Sequence, residues 1–170
     1  AHQVPEEGGE TGWADMTAAY NSLEPKIKEK IKDLSAYHSY SYSQAKFKHK
    51  PQKESEFSGY GFDVDPPPFR PLVKTHPETG KKSLLIGRHA FGIPGLSENE
   101  SKELLDELND FACKEEDRVY HHSWTSGEAV IWDNRNLMHQ ARPWDLTKAR
   151  IMYHSRIQGD EHSESGLNYL

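Results

Sequence analysis

The sequence has little cysteine, no long apolar run and no excess of positive charge. Its one cysteine, Cys113, excludes an internal disulfide and predicts a reducing compartment, most simply the cytoplasm. No run of apolar residues approaches the roughly 20 that cross a bilayer, so we expect no membrane span. The net charge of −6 argues against nonspecific binding of nucleic acid.

The chain is nevertheless long enough, at 170 residues, to build a core, and we expect a single domain over residues 1–170. Hydrophobic residues make up 34% of it and charged residues 28%. This composition predicts a large polar surface, or a surface partly covered by a partner such as a second copy of the chain. Because Ala1 is not an initiator methionine, we expect a processed, engineered or truncated product.

Caps and apolar spacing predict three helices. Asp15 is placed to cap the first helix, and Pro25 opens the second. Ser97 and Glu100 have the spacing of a capping box before the third. The apolar stripe of that third helix predicts core packing and comprises Leu104, Leu105, Leu108, Phe111 and Ala112.

Strands are predicted mainly in the second half of the chain, over residues 71–75, 83–87, 118–124, 129–133 and 150–158. The turn at 76–80 joins the first two as a hairpin. Such short turns indicate antiparallel sheets with one or two covering helices. Residues 36–68 lack a regular pattern and end in three prolines, so they are predicted to be either a lid or an irregular insertion.

Two side chains in the last third of the chain are candidates for binding chemistry. His139 follows the polar turn at 133–135, and a neutral imidazole near a strand end is a common metal ligand. Alternation along the last predicted strand places three potential cations on one face, namely Arg150, His154 and Arg156. This face suits either an anion, since an arginine fork binds a carboxylate, or plain contact with water. The opposite face is expected to be core and carries Ile151, Tyr153 and Ile157.

A metal site needs more than one ligand, and the other histidines are weak candidates. Two segments read His-x-Glu, one beginning at His76 in a tight turn and one at His162 in a polar tail. A structural or solvated role is favoured for both. His121 and His122 are adjacent on a predicted strand and point to opposite faces, so they cannot bind one metal together.

Four motifs stand in a fixed order along nearly the whole chain. They are Gly8-Gly9-Glu10-Thr11 with Ala14-Asp15-Met16, then Thr75-His76-Pro77-Glu78-Thr79-Gly80-Lys81, then Trp132-Asp133-Asn134-Arg135 with His139, and finally Arg150-Ile151-Met152. In order and spacing they resemble the taurine/dichlorophenoxyacetate dioxygenase (TauD/TfdA) family. Members of that family are Fe(II), 2-oxoglutarate-dependent oxygenases.

The resemblance implies a mainly β fold with flanking α-helices, a double-stranded β-helix or jelly roll. It implies a 2-His-1-carboxylate triad that holds Fe(II) and leaves positions open for 2-oxoglutarate and O2. By motif position, His139 resembles the distal His ligand of the iron. Arg150 and Thr11 resemble the residues that bind the far carboxylate of 2-oxoglutarate.

The chain departs from the family pattern in two places. The family's His-x-Asp pair precedes the Gly-Gly-x-Thr motif by a few tens of residues, so here it would lie before Ala1. The chain therefore resembles the C-terminal part of such an enzyme, with a jelly roll incomplete at its N-terminus. The taurine enzymes also carry a second arginine four residues after the first, where this chain has His154. Arg156 is the alternative cation for the substrate, and His89 is a further substrate-binding candidate.

The leading functional prediction is a dioxygenase that hydroxylates a small, anionic organic substrate and releases succinate and CO2. The alternative is a catalytically inactive fragment or divergent homologue that acts as a binding or interaction domain. A third possibility is a cupin-like metal isomerase or metal-binding protein.

Overall fold

The computed structural model describes residues 1–45 and 67–157. In that part of the chain, strands and α-helices follow one another as β1 Thr11–Asp15, α1 Met16–Ser22, α2 Pro25–Ile31, β2 Ser35–His38, α3 Tyr40–Ala45, β3 Phe69–Pro71, β4 Val73–Thr75, β5 Lys82–Leu84, β6 Ala90–Phe91, α4 Glu98–Lys114, β7 Val119–His122 and β8 Leu137–Ala141. A 3-10 turn at Glu116–Arg118 precedes β7. None of the helices within 1–45 and 67–157 is long and apolar enough to cross a membrane.

The strands form two three-stranded sheets and one hairpin. The first sheet has the order β7-β1-β8, the second has the order β3-β2-β6, and β4 pairs with β5. Every one of these pairings is antiparallel, as predicted. In the first sheet, Trp13 of β1 lies opposite Tyr120 on one side and His139 on the other.

The predicted caps and the predicted hairpin are confirmed. The Asp15 side chain accepts hydrogen bonds from the backbone N–H of Thr17 and Ala18, at 2.9 and 2.8 Å, and so begins α1. Ser97 and Glu100 form the reciprocal capping box at the start of α4. The turn between β4 and β5 closes the hairpin in the register Val73↔Leu84, Lys74↔Ser83 and Thr75↔Lys82.

The core lies between one face of the first sheet, helices α1 and α4, and the β4–β5 hairpin. Since strand side chains alternate, Ala14 and Met138 face this core while Thr11 and Trp13 point to the opposite face. The predicted stripe of α4 packs here, with Leu104, Leu105, Leu108 and Ala112 buried. The first sheet therefore packs one face on this core, and its other face carries Thr11, Trp13 and His139.

Three predictions about regular structure are wrong within the described residues. Residues 129–133 form no strand, and residues 150–157 contribute only one isolated bridge, between Ile151 and Gln3. Tyr153 and Ile157 are 76% and 96% exposed, so the face expected to be core is not buried in this chain. The physical reason is that alternating side chains make a strand only where a neighbouring backbone supplies the hydrogen bonds.

The segment 36–68 was predicted to be irregular, and its beginning is not. Residues 36–38 belong to β2, which is the central strand of the second sheet, and α3 follows directly. The remainder of the predicted lid or insertion, residues 46–66, lies outside the described residues. Strand β8 was missed, because the polar turn before it and its own polar residues weaken the apolar alternation.

A hydrogen-bonded pair of side chains attaches the β4–β5 hairpin to the turn before β8. The Nδ1 atom of buried His76 accepts from the backbone N–H groups of Glu78 and Thr79, at 3.2 and 3.3 Å. The ring proton is therefore on Nε2, which donates to Asp133 Oδ2 at 3.0 Å. Partial burial by itself would raise the pKa of Asp133, but hydrogen bonds from Arg135 and His76 outweigh it and lower that pKa to about 2.

We expect Asp133→Asn to destabilise the chain near neutral pH and to have less effect in acid. The pKa of the folded Asp133 lies below its ordinary value of 3.8, so its stabilising effect is complete above about pH 4. That effect is lost as the pH falls toward 2. The measurement is the difference in free energy of unfolding between the wild-type and variant chains, by urea titration from pH 6 to pH 3. Asp110→Asn, an exposed change on α4, is the control, and a difference that does not shrink in acid would contradict the assignment.

Candidate functional site

His139 lies in the middle of β8, not at a strand end as predicted. It faces the side of the sheet that is turned away from the core, next to Trp13, and its ring contacts Trp132 edge to face with centroids 5.1 Å apart. The residue as a whole is nevertheless exposed. Loss of hydration on its packed side lowers the pKa of His139, and the positive charges of Arg156, His154 and Arg88 lower it further.

The cations near His139 include two of the predicted substrate-binding residues. Arg156 and His154 act on the His139 ring electrostatically, as does Arg88, which sequence reasoning missed. Because a lowered pKa keeps the imidazole neutral at pH 7, the Nε2 or Nδ1 lone pair is available to a metal ion. Within residues 1–45 and 67–157, however, no group of three or more His, Cys, Asp or Glu side chains could hold a metal. His139 is therefore a single candidate ligand in this part of the chain.

Arg150 and Thr11, predicted as a pair, are in direct contact. Arg150 Nη2 donates to Thr11 Oγ1 at 3.2 Å, and Arg150 Nε donates to the carbonyl oxygen of Gly9 at 2.8 Å. The guanidinium carbon lies 5.4 Å from the centre of the Trp144 ring, a cation–π distance. Partial burial lowers the pKa of Arg150, but a guanidinium keeps its charge at neutral pH.

The register of β1 and β8 sets the distance between Thr11, the partner of Arg150, and His139. Trp13 is paired with His139 and Thr11 with Ala141, so Thr11 and His139 are diagonal neighbours on one face. Such diagonal positions are about 7–8 Å apart in an antiparallel sheet. The candidate metal ligand and the candidate carboxylate-binding pair are therefore close together on this face.

The glycine-rich loop before β1 has to be free of side chains. Gly8 and Gly9 both have positive φ, at 76° and 70°. A Cβ atom on Gly9 would lie 3.1 Å from Arg150 Cδ, and one on Gly8 would lie 2.8 Å from the carbonyl oxygen of Pro143. The loop is thus packed along residues 142–150, and it holds the Arg150 side chain against Thr11.

Trp124 belongs to this site, and sequence reasoning missed it. Its indole Nε1–H donates to Thr11 Oγ1 at 2.9 Å. The sequence did contain a signal, since Tyr120, His122 and Trp124 are spaced by two and share a face next to Thr11 and Trp13. Without knowledge of the β1–β7 register, however, that face could not be assigned to the site.

An open aromatic cavity of about 660 Å³ adjoins His139 on the same face of the sheet. Trp132 links the two, because its ring contacts Trp13 at 5.3 Å as well as His139. The apolar part of the lining consists of Trp13, Val119, Tyr120, Val130, Ile131, Trp132 and Leu137. An apolar ring bound there would lie beside the candidate metal ligand.

His89 lies elsewhere in the structure. Its Nδ1 atom is 2.8 Å from Ser43 Oγ, and its ring contacts Tyr40, so it is packed against α3. The structure brings His139, His154 and Arg156 together, and Arg150 with Thr11, but it places His89 on the side of the second sheet. A role for His89 in substrate binding stays a prediction.

The chain is similar to known proteins along most of its length. Residues 1–156 match the family described as "Taurine catabolism dioxygenase TauD, TfdA family". The chain is 56% identical over 168 residues to an (S)-phenoxypropionate/alpha-ketoglutarate-dioxygenase of Sphingobium herbicidovorans, which covers 98% of this chain and 58% of that protein. It is 36% identical over 147 residues to an alpha-ketoglutarate-dependent 2,4-dichlorophenoxyacetate dioxygenase of Cupriavidus pinatubonensis, covering 86% of this chain and 49% of that protein.

The fold is also that of a solved relative. The crystal structure of AAD-2 in complex with Mn(II) and N-oxalylglycine matches with a TM-score of 0.76 and 36% identity, over 89% of this chain and 57% of that one. This similarity confirms the predicted jelly-roll class. The chain spans about half the length of these relatives. Because the family profile covers residues 1–156 and the motifs stand in register, the chain belongs to the TauD/TfdA family of dioxygenases.

Proposed function

We propose that the complete protein is an Fe(II)- and 2-oxoglutarate-dependent dioxygenase that hydroxylates a small anionic substrate and releases succinate and CO2. The observation that carries this proposal is the placement of the Arg150–Thr11 pair one diagonal step from His139 on one sheet face. The relatives named above act with alpha-ketoglutarate, which is 2-oxoglutarate. The proposal concerns the whole protein, since the chain spans only part of their length.

The residues of this chain fit one end of 2-oxoglutarate. Arg150 offers a charged guanidinium and Thr11 a hydroxyl, which together bind the far carboxylate. Within the described residues they fit Fe(II) only in part, because His139 supplies one of the three ligands that a facial triad needs. We propose that the other two ligands come from outside the 170 residues. When bound, the metal would supply the activation of O2.

The substrate is proposed to be a carboxylate that carries an apolar ring. The positive charge near His139 comes from Arg156, His154 and Arg88, and it favours an anionic group there. The aromatic cavity beside Trp132 offers space for a ring. The relatives of Sphingobium and Cupriavidus act on phenoxypropionate and 2,4-dichlorophenoxyacetate, which have this chemistry. A cytoplasmic location stays a prediction from the single cysteine.

The alternative function is a binding domain without turnover. It is favoured by the absence, within residues 1–45 and 67–157, of a group of three metal ligands. The two functions differ in one assay, in which the 170-residue chain and the full-length protein are each given Fe(II), 2-oxoglutarate and an aryloxy acid. Substrate-dependent succinate release by the full-length protein supports the dioxygenase. If neither protein releases succinate but both still bind 2-oxoglutarate, the result supports the binding domain. Metal-dependent activity that ignores 2-oxoglutarate would instead support a cupin-like enzyme.

The proposed binding of the far carboxylate by Arg150 is tested with Arg150→Ala in the full-length enzyme. Loss of a charge-assisted pair of hydrogen bonds is expected to raise the KM for 2-oxoglutarate by about 10- to 100-fold. The Kd for the metal should change much less, because Arg150 is not among the proposed metal ligands. Arg142→Ala, an exposed change in the same segment, is the matched control. An unchanged KM in the Arg150 variant would refute the role.

The glycine loop is tested with Gly9→Ala. The new Cβ would displace the Arg150 side chain, so the KM for 2-oxoglutarate is expected to rise on the order of 10-fold, as when one charged contact is lost. Gly80→Ala is the matched control, because Gly80 has a similar φ of 67° but nothing within 4 Å of its Cβ position. If both variants raise the KM equally, backbone strain alone is the cause and the contact with Arg150 is irrelevant.

The substrate site is tested with His154→Ala and, separately, Arg156→Ala. If His154 holds the anionic group, its variant should have a higher substrate KM and should spare the slow 2-oxoglutarate turnover that occurs without substrate. An effect confined to the Arg156 variant would assign the charge to Arg156. Equal loss of both activities in the His154 variant would count against a substrate role.

A further inference from the structure

We propose that Trp124 is a positioning residue that directs the Thr11 hydroxyl proton at the far carboxylate of 2-oxoglutarate. The inference rests on the proposed function, and it assigns a role to a residue that does not itself reach the reacting atoms. It starts from the two hydrogen bonds that converge on one oxygen atom, Thr11 Oγ1.

Thr11 is the acceptor in both hydrogen bonds. The indole N–H of Trp124 has no lone pair and can only donate, and so can the guanidinium of Arg150. The donor atoms lie 2.9 and 3.2 Å from Thr11 Oγ1. A hydroxyl oxygen accepts two hydrogen bonds and donates one. With both lone pairs occupied, Thr11 can only act as a donor toward a third group.

That third group is not in the part of the chain that the structure describes. Thr11 is 7% exposed, and neither Trp124 nor Arg150 can accept its hydroxyl proton. A buried donor without an acceptor is unfavourable, so the site favours a ligand that brings an acceptor. A carboxylate held by the Arg150 guanidinium presents such an oxygen to the same point.

The Trp124 ring is held in place by its own neighbours. It packs edge to face on His122 with centroids 4.6 Å apart and contacts Trp13 at 6.3 Å. The turn that follows is closed by Glu128, which accepts from the backbone N–H of Thr125 at 2.7 Å and contacts His122 Nε2 at 3.2 Å. Contacts within the protein thus aim the indole N–H at Thr11.

This arrangement makes the pocket specific for a dicarboxylate. Without Trp124, the Thr11 hydroxyl could turn a lone pair toward the ligand and its proton elsewhere. The Thr11 oxygen and the carboxylate oxygen would then repel each other, because both would be acceptors. With Trp124 in place, Thr11 and Arg150 both present donors to one carboxylate. A 2-oxo acid that lacks the far carboxylate gains nothing from this and leaves the Thr11 proton unpaired.

The test compares 2-oxoglutarate binding by full-length Fe(II) enzymes without O2, using calorimetry. Trp124→Phe removes the N–H and keeps an aromatic ring, and it is expected to weaken binding by about 3- to 10-fold, the range of one neutral hydrogen bond. Benzothienylalanine at position 124 keeps the bicyclic shape and lacks the N–H, so it is the matched control for lost ring volume. The loss that it shares with Trp124→Phe measures the hydrogen bond.

A double-mutant cycle separates this role from simple packing. Thr11→Val removes the hydroxyl at nearly constant volume, so adding Trp124→Phe to it should cause no further loss of 2-oxoglutarate affinity. Thr11→Ser keeps the hydroxyl and should keep the sensitivity to Trp124. The Kd for 2-oxobutyrate, which lacks the far carboxylate, should be the same in the wild-type and Trp124→Phe enzymes.

If Trp124→Phe does not fold, benzothienylalanine at position 124 replaces it, since this residue keeps the bicyclic shape and has no N–H. Equal losses in the Thr11 and Thr11→Val backgrounds, or equal losses for 2-oxoglutarate and 2-oxobutyrate, would overturn the inference. The Arg150→Ala enzyme distinguishes failure of the proposed function from failure of the inference about Trp124. If it binds 2-oxoglutarate normally, the proposed function fails; if it binds weakly while Trp124 has no effect, only the inference fails.

Discussion

The pairing of β1 with both β7 and β8 is the constraint on which the site depends. Its register sets Trp13 between Tyr120 and His139, and it thereby puts Thr11 and His139 on one face. A slip of β1 by one residue would put Thr11 and His139 on opposite faces, because strand positions alternate with a period of two. Core packing opposes such a slip, since it would move Ala14 out of the core and away from Met138. Core packing thus fixes the geometry of a site that lies outside the core.

Arg150, the other part of the site, is not held in place by a sheet. Arg150 lies beyond the last strand, and only one bridge, from Ile151 to Gln3, ties its segment to another backbone. Its position depends on the Gly9 carbonyl, on the Trp144 ring and on the close approach that glycine allows. The exposure of Tyr153 and Ile157 just after it shows that this segment is not packed on both faces in this chain. His139 and Thr11 lie on the sheet, whereas contacts with loop residues hold the Arg150 guanidinium against Thr11.

Sequence patterns predicted the local structure well and the long-range structure poorly. The Asp15 cap, the Ser97 capping box and the β4–β5 hairpin each involve residues a few positions apart, so the sequence contains all the partners. Strand β8 and the irregular segment after Arg150 depend on which backbone lies alongside, and no local pattern records that. The hydrogen bond from Trp124 to Thr11 joins residues that are 113 positions apart. His139, Arg150 and Thr11 were found from motif resemblance, whereas Trp124 needed the register.

The charges around His139 explain why an anion suits this face. The chain as a whole carries a net charge of −6, yet Arg156, His154 and Arg88 lie close enough to His139 to lower its pKa. The same Coulombic effect that disfavours a proton on the imidazole disfavours any other cation there, a metal ion included. Under the proposed function, a dicarboxylate held by Arg150 and Thr11 would bring the opposite charge into this field, one diagonal step from the imidazole. The anion would then offset a repulsion that the protein's own side chains create, and so contribute to the electrostatics of the site as well as to its contacts.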